Sequence, residues 1–303
     1  MLLITGASGF VGRYLLRTLI QKHKYKPSQI LAYLYDKEKE TDSEKFLKEQ
    51  KVKIEYGDIT KQEDIKKLFK KYKFKEVIHL AAMIKSESVK PFVDVNIHGT
   101  KYIVEASEKA KVKKFIFTST DFVLYKTRNI YRDTKLEAEN IVKKSKLNYT
   151  ILRPAPIYGP GDDKNFDSLI PLIEKFPIIP AVRCIMQPVY VQDIVDAIIA
   201  CLKSKNTTRK EYNLPGGSIV TFKQILLIIA KIRGLKRTVI TFPNFIMNTA
   251  IKIYEVTVPR PVVRYYQVSK WIMNRPISLE QQKKDFNYNP ISFEEGMKIT
   301  LKN

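Results

Sequence analysis

Short β-branched runs alternate with amphipathic stretches over the first half of the chain. Apolar residues fill most of Leu2–Thr5, and between Val11 and Gln21 they recur at the spacing of one helix face. The same alternation predicts strands at 2–5, 30–35, 52–56, 77–80, 114–118 and 149–153, and helices at 11–21, 65–72, 93–110 and 136–144. Strands that alternate with helices indicate an α/β fold, a doubly wound parallel sheet with helices on both faces.

The rhythm changes after about residue 154. Segments become shorter and prolines more frequent, at Pro154, Pro156, Pro160, Pro171, Pro177, Pro180 and Pro188. We therefore predict a first domain over residues 1–160 and a smaller substrate-binding part over 161–303, with a strand and helix around 187–203 returning to the first domain. Ligands of open α/β sheets bind at the carboxyl ends of the strands, where the smaller part should lie.

Composition adds an excess of positive charge. The formal net charge is +23, and the lysines are spread along the whole chain. No basic helix interleaved with aromatic residues is visible, which favours a solvated surface over nucleic-acid binding; an anionic cofactor or substrate would still be attracted. The two cysteines, Cys184 and Cys201, exclude a disulfide framework. With no secretory signal or apolar run of membrane-spanning length, we expect a cytoplasmic protein.

Three glycines stand between the first predicted strand and the first predicted helix, in Gly6-Ala-Ser8-Gly9-Phe10-Val11-Gly12. Glycine permits a positive φ in a tight turn and lets the backbone approach a pyrophosphate. The free N–H groups of the following helix can then hold the phosphates. In this position the motif predicts a Rossmann domain that binds a nicotinamide dinucleotide.

The end of the second strand bears on the choice between NAD and NADP. Asp36 lies 24 residues after Gly12, near the distance expected for an acidic residue that binds the adenine ribose. This favours NAD. Lys37 and Lys39 could pair with a 2′-phosphate, so NADP stays open.

Further motifs follow in a fixed order. They are Gly57-Asp58-Ile59-Thr60, His79-Leu80-Ala81-Ala82, Val95-Asn96-Ile97-His98-Gly99-Thr100, Thr118-Ser119-Thr120, Tyr131 with Lys135, Arg153-Pro154, Val189-Tyr190-Val191 with Asp193, and 288–296. In this order they resemble the extended branch of the short-chain dehydrogenase/reductase superfamily, specifically its NAD-dependent epimerase/dehydratase family. The resemblance covers nearly the whole chain.

The resemblance implies a set of cofactor contacts. Beyond Gly6, Ser8, Gly9, Phe10, Val11, Gly12 and Asp36 in the first two strand–helix units, these are Asp58 and Ile59 at adenine, Leu80, Ala81 and Ala82 beneath the ribose, and Asn96, Thr118, Tyr131, Lys135 and Pro154. It also implies a homodimer through the central helix and the helix of Tyr131.

Hydride transfer from a secondary alcohol needs a base for the hydroxyl proton. We assign Tyr131 as the acid/base and Lys135, one helical turn away, as the residue that tunes it. The lysine charge and that of oxidised nicotinamide should lower the phenol pKa, and the resemblance implies that Lys135 also holds the nicotinamide ribose. Thr120 should position the substrate oxygen, although Ser119 could serve instead.

Other occurrences of the same residues call for plainer interpretations. The Tyr-x-x-x-Lys spacing also occurs at Tyr33/Lys37, Tyr35/Lys39 and Tyr266/Lys270, so only its position after the fifth strand singles out Tyr131.

The three histidines, His23, His79 and His98, lack the spacing of metal ligands, and no metal is predicted.

The substrate is less well defined. We expect an oxidoreductase or epimerase acting on a hydroxyl-bearing carbon of a sugar or nucleotide-sugar. Met186 stands where the nucleotide-sugar enzymes commonly carry an arginine, and Gln187-Pro188 resembles the 39-kDa accessory subunit of respiratory complex I. A nucleotide-binding protein without turnover is therefore an alternative. Asp121 stands where dehydratases have an acid, but helix capping is the plainer interpretation.

A third relative is the 3β-hydroxysteroid dehydrogenase group, which shares the closing Tyr288-to-Gly296 pattern. It points to a lipid-alcohol dehydrogenase. The apolar segment from Phe242 to Met273 could then cover a lipid-like substrate or make peripheral contact with a membrane. Core helices of the smaller part are the plainer interpretation.

Overall fold

A computed structural model describes residues 1–38, 41–125, 129–162, 166, 169–258 and 276–302. The chain forms two compact units. The first comprises Met1–Pro154, Ile194–Leu214 and Glu280–Tyr288, and the second comprises Ala155–Asp193, Pro215–Leu279 and Asn289–Asn303. The strand and helix around 187–203 were predicted to return to the first domain. In the structure this segment belongs to the first unit only from Ile194 onward.

A parallel sheet of seven strands forms the centre of the first unit. Its strands are β1 (Leu2–Thr5), β2 (Ile30–Leu34), β3 (Lys53–Tyr56), β4 (Glu76–His79), β5 (Lys114–Thr118), β6 (Tyr149–Pro154) and β11 (Lys210–Leu214). They are ordered β11-β6-β5-β4-β1-β2-β3, and every neighbouring pair is parallel. The predicted doubly wound sheet is confirmed. Strand order reverses between β1 and β4, which makes a crevice at their carboxyl ends.

The helices of the first unit connect these strands. They are α1 (Phe10–Gln21), α2 (Asp42–Glu49), α3 (Gln62–Lys71), α4 (Lys90–Phe92), α5 (Thr100–Lys109), α6 (Ile130–Lys144), most of α8 (Val191–Lys203) and α11 (Glu280–Phe286). Between α4 and α5 the chain forms a π-helix over Val93–Gly99. One core cluster joins the sheet to α3, α5 and α6 through residues such as Leu3, Ile65 and Phe115. β1 and β2 are buried along their whole length, and burial on both faces of the sheet explains why they are continuous apolar runs.

The second unit contains shorter elements. They are β7 (Ile157–Tyr158), α7 (Ile170–Lys175), β8 (Ile178–Val182), β9 (Ile185–Met186), β10 (Val189–Tyr190), β12 (Val220–Thr221), α9 (Phe222–Ile232), β13 (Thr238–Phe242), α10 (Asn244–Thr257) and α12 (Phe293–Lys302). The strands form three separate two-stranded pairs, β10-β7, β12-β9 and β13-β8. Tyr158, Phe166 and Phe293 pack together in its core, with ring centroids 5.0 to 5.9 Å apart.

Candidate functional site

The glycine turn joins β1 to α1, and its first and third glycines are required by packing. Gly6 has φ +70°, and a Cβ there would lie 2.7 Å from the Ala81 nitrogen. A Cβ on Gly12 would lie 2.4 Å from the Gly6 carbonyl oxygen. The turn can therefore be this tight only because both positions lack a side chain.

Gly9 presents an open face at the start of α1. It is exposed, and a Cβ there would meet only the Gly6 carbonyl oxygen, at 3.2 Å. Gly9 is the N-cap of α1, without a side-chain hydrogen bond, and the first turn of the helix contains no acidic residue. The N–H groups of Phe10 and Val11 thus stand at a helix N-terminus that favours an anion. Nearby, Arg13 fixes the turn by donating from Nη1 to the Ser8 carbonyl at 2.6 Å.

Two acidic residues lie where an adenosine group is expected. β2 ends at Leu34, so Asp36 is the second residue beyond the strand, and it begins a short 3-10 turn. After β3, Asp58 Oδ1 accepts hydrogen bonds from the Thr60 N–H at 2.9 Å and from its hydroxyl at 2.8 Å. Lys39 and the Lys37 side chain, on which the NADP alternative rests, lie outside the described part of the chain.

Asn96 holds the loop that follows β4. Its Oδ1 accepts from the Met83 N–H at 2.8 Å, and its Nδ2 donates to the Met83 carbonyl at 3.1 Å. Nδ2 also donates to the Thr134 hydroxyl on α6, at 3.1 Å. Asn96 is buried in the π-helix and its amide is engaged by protein groups, so it fixes the end of the 80–83 loop. A π-helical turn is frequent at functional sites.

His79, the last residue of β4, precedes this loop and is held between two hydroxyl groups. Its Nδ1 lies 2.6 Å from the Thr5 hydroxyl and its Nε2 lies 3.1 Å from the Thr100 hydroxyl. Burial, assisted by the charge of Lys135, lowers the pKa of His79 to about 3. The imidazole is therefore neutral and structural. Among the described residues no cluster of histidine, cysteine and carboxylate side chains could hold a metal ion.

Tyr131 and Thr120 meet beyond the carboxyl end of β5. Asn129 caps α6 by accepting the Tyr131 N–H at 2.8 Å, which places the tyrosine in the first turn of that helix. The Thr120 hydroxyl lies close enough to the phenol to oppose the rise of the pKa of Tyr131. Thr120 in turn caps the 3-10 helix Asp121–Leu124 through the Phe122 N–H at 3.3 Å. Thr120, predicted to position the substrate oxygen, is thus brought to the phenol.

Lys135 lies one turn further along α6, with only 1% of its surface exposed. Its Nζ donates to the Thr118 carbonyl at 2.8 Å and lies 4.1 Å from the centre of the Phe117 ring. Burial lowers the pKa of Lys135 to about 7, although the charge of Glu139 opposes this. Pro154, at the end of β6, pairs with Leu214 in the same sheet.

The electrostatics of Tyr131 correct one expectation. Burial raises its pKa to about 12, and the charge of Asp121 adds to the rise, whereas the hydrogen bond from Thr120 opposes it. Lys135 does not lower the pKa of the phenol in the chain alone, because its ammonium group is directed to Thr118. Of the two charges expected to lower the pKa of Tyr131, only the charge of oxidised nicotinamide therefore remains.

Asp121 is a second buried acid at this edge. Burial raises its pKa to about 7, although hydrogen bonds from the Tyr125 hydroxyl, from the N–H groups of Phe122 and Asp121, and from Thr120 oppose the rise. The carboxyl group accepts from the N–H groups of Phe122 and Asp121 at the start of the 3-10 helix, but the N-cap of that helix is Thr120. Near neutral pH it exists in both protonation states.

The sequence interpretation assigned no role to the buried charges behind Lys135. Arg153 makes a two-pronged contact with Glu139, from Nε to Oε1 at 2.8 Å and from Nη2 to Oε2 at 2.5 Å. The spacing Tyr131-Lys135-Glu139 places all three on one face of α6, and this was the signal that could have found Glu139.

Comparison with known proteins decides the family. The model of the NAD dependent epimerase/dehydratase family matches residues 2–214, which include every part of the site described above. The chain belongs to the NAD-dependent epimerase/dehydratase family. It is an enzyme of the extended short-chain dehydrogenase/reductase type, and its cofactor is NAD.

Similar proteins include enzymes of different substrates. The ceramide reductase of Caulobacter vibrioides is 26% identical over 245 residues, which are 80% of this chain and 73% of the relative. The dTDP-D-glucose 4,6-dehydratase of Dictyostelium discoideum is 30% identical over 251 residues, 70% of this chain but only 57% of the relative. The structure of the Bordetella bronchiseptica enzyme WbmG in complex with NAD and UDP has a TM-score of 0.80 at 16% identity, covering 99% of this chain and 93% of that one. At this identity the likeness shows the fold alone.

The residues present fit the family's cofactor. The helix N-terminus at Gly9 is open toward solvent and free of acidic side chains, as a diphosphate requires. The Thr118 hydroxyl, at the end of β5, is buried and has no hydrogen-bond partner among the described residues. The carboxyl edge therefore offers an unused polar group as well as an anion site.

Proposed function

We propose that this enzyme transfers hydride between NAD and a hydroxyl-bearing carbon of a sugar or nucleotide-sugar. The observation that carries the proposal is the close approach of Tyr131 and Thr120 beyond the end of β5, with the buried Lys135 on the same helix face as Tyr131. The names of a dTDP-glucose dehydratase among its relatives and of a UDP complex among similar structures support the sugar class. The positive surface suits an anionic substrate.

When bound, NAD would supply the hydride acceptor. Tyr131 takes the proton of the substrate hydroxyl as the carbon gives up its hydride, and the same phenol returns the proton when the reaction runs backward. Thr120, which lies beside the phenol, aligns the substrate oxygen. Lys135 would hold the nicotinamide ribose beside the phenol, as the family resemblance implies; in the chain alone its charge does not lower the pKa of Tyr131.

Replacement of the phenol tests this assignment. Tyr131→Phe removes the proton acceptor but leaves the glycine turn untouched, so turnover should fall about 10²–10⁴-fold while NAD affinity is unchanged. Initial rates on a panel of nucleotide-sugars, followed by nicotinamide absorbance, measure the loss, and calorimetry measures NAD binding. Tyr102→Phe, the same change on α5 outside the Tyr131 cluster, should retain full activity.

Two outcomes would contradict the proposal. Undiminished turnover in Tyr131→Phe would remove the acid/base assignment. Tight NAD binding by the unmodified chain without turnover of any alcohol or ketone would favour the assembly or sensor role expected from the complex I resemblance.

A lipid alcohol is a second candidate substrate, and the surface of α10 favours it. Phe245, Ile253 and Val256 are 73%, 59% and 88% exposed, so the apolar side of this helix is not buried as a core helix would be. Thr249 and Thr257 donate to the Phe245 and Ile253 carbonyls, at 3.0 and 2.9 Å, so their hydroxyls need no water. Such a face suits the apolar boundary of a membrane. The ceramide reductase among the relatives supports the same class.

Vesicle binding separates the two candidates. If the substrate is a lipid, the chain should sediment with phosphatidylcholine–phosphatidylglycerol vesicles, and Phe245→Ser with Val256→Ser should weaken binding about tenfold or more. Ile299→Ser, on the exposed side of α12, is the matched control and should bind as the unchanged chain does. Absence of sedimentation, together with turnover of a nucleotide-sugar, would exclude the lipid alternative. The described helices include none long and apolar enough to cross a bilayer.

A further inference from the structure

A chain of alternating charges runs from Lys135 to the surface of the first unit. Glu139, with 0% of its side chain exposed, follows Lys135 by one turn of α6. Arg153 on β6 binds Glu139 and also contacts Glu211 on β11. Lys143, one further turn along α6, lies 3.5 Å from Glu139 and 2.8 Å from Glu211. Arg153 and Lys143 thus converge on the buried carboxylate of Glu139, and Glu211 binds both of them.

The groups that touch the Lys135 ammonium are neutral. They are the Thr118 carbonyl and the Phe117 ring, both on β5. From β4, His79 faces the lysine as a neutral imidazole, and on α6 the phenol of Tyr131 precedes it by one turn. Asp121 acts on Tyr131 rather than on the lysine. Of the described residues that act electrostatically on Lys135, Glu139 is the one anion.

The surrounding charges keep Glu139 ionised. Burial by itself would favour the neutral acid, but the hydrogen bonds and charge of Arg153 lower the pKa of the carboxyl group below its usual value. Arg153 uses a planar fork that matches both carboxylate oxygens. Removing a buried counter-charge destabilises the charged form of its neighbour, because the low-dielectric surroundings cannot replace it.

We propose that Glu139 is a positioning residue for the reaction: it is the buried counter-charge that favours the protonated form of Lys135 behind Tyr131, and Arg153 with Glu211 and Lys143 holds it in place. The expected effect of Glu139 on turnover rests on the proposed function. The expected effect of Glu139 on the charge of Lys135 does not, because it can be measured on the protein without cofactor or substrate.

The first test is the thermal unfolding of Glu139→Gln against pH, with neither cofactor nor substrate present. Lys135 binds its proton more weakly in the folded chain, where its pKa is about 7, than in the unfolded chain, where it is about 10.4. Stability therefore rises with pH across this window. Without Glu139 the folded pKa of Lys135 should fall by ~1–2 pH units, so the rise should begin at a correspondingly lower pH. The loss of Tm caused by this shift should be small above pH 7 and should reach its full size at pH ~5.

Matched variants separate this effect from general damage. Glu137→Gln removes the same charge from an exposed position on α6 and should leave the pH profile of Tm unchanged. In a Lys135→Met background, Glu139→Gln should no longer change the shape of the profile. If Glu139→Gln does not fold, Glu139→Gln with Arg153→Met removes the pair together and should show the same shift of the Lys135 titration.

Turnover supplies the second measurement. In Glu139→Gln the KM for NAD near pH 7 should rise several-fold, because a neutral Lys135 would hold the nicotinamide ribose less strongly than a protonated one. Glu139→Asp keeps the charge and should restore the KM. Parallel Tm curves at every pH would show that Glu139 is merely structural and would overturn the proposal. Shifted Tm curves without turnover on any substrate would instead overturn the proposed function alone.

Discussion

At the scale of single residues, Gly6 shows how a backbone constraint leads to a binding site. Its φ of +70° is shared with Gly234, but the two glycines differ in their surroundings. A Cβ on Gly6 would meet the backbone of Leu80 and Ala81 at 2.7 to 2.9 Å, whereas a Cβ on Gly234 would have nothing within 4 Å. Alanine at these two positions therefore distinguishes the effect of backbone strain, which both share, from that of steric conflict, which only Gly6 would suffer.

We expect Gly6→Ala to lower the free energy of unfolding by about 2–4 kcal/mol, because strain and overpacking act together. Gly234→Ala should cost only about 1–2 kcal/mol, since strain acts alone. NAD affinity should fall in the first variant and not in the second. Denaturant titration and calorimetry on both variants measure these effects. Equal losses of stability would show that the contact with the 80–81 loop is not what requires glycine.

The sequence could identify residues whose task is local. Gly6, Gly9 and Gly12 are fixed by a single turn, and their spacing is visible along the chain. It could not assign a role to Glu139, because the residues that define this role are distant in sequence. Arg153 lies 14 residues further on, and its second partner, Glu211, another 58. The raised pKa of Tyr131 was equally hidden, since it depends on burial and on where Lys135 points.

At the scale of elements, hydrophobic periodicity located the strands well and the catalytic helix poorly. β1 and β5 have the predicted bounds. The helix predicted at 136–144 begins instead at Ile130, because Asn129 caps it. Its first turns carry Tyr131, Lys135 and Glu139 toward the interior, so polar residues occupy positions where the pattern expects apolar ones. Polar residues on this buried face interrupt the apolar repeat by which a helix is recognised in the sequence.

The segment predicted as one helix at 93–110 shows a second limit. The structure has α4 at Lys90–Phe92, the π-helix at Val93–Gly99 and α5 at Thr100–Lys109. An apolar repeat reports which face is buried, not whether the hydrogen bonds span four residues or five. The π-helix places Asn96 opposite Met83 and Thr134, contacts that only the folded sheet can supply.

At the scale of the whole molecule, the candidate phosphate-binding turn and the candidate acid/base cluster lie at the same edge of the sheet of the first unit. The glycine turn follows β1, and the cluster of Thr120, Tyr131 and Lys135 surrounds the end of β5. In a parallel sheet all strands end on the same side, so one dinucleotide can span both. The account depends on this shared use of the carboxyl edge.

A structure of the chain with NAD tests that claim most directly. The pyrophosphate should accept hydrogen bonds from the backbone N–H groups of Phe10 or Val11, and the nicotinamide ribose should lie within hydrogen-bond distance of Tyr131 or Lys135. A dinucleotide bound elsewhere, or one whose nicotinamide end turns away from Tyr131, would contradict the account.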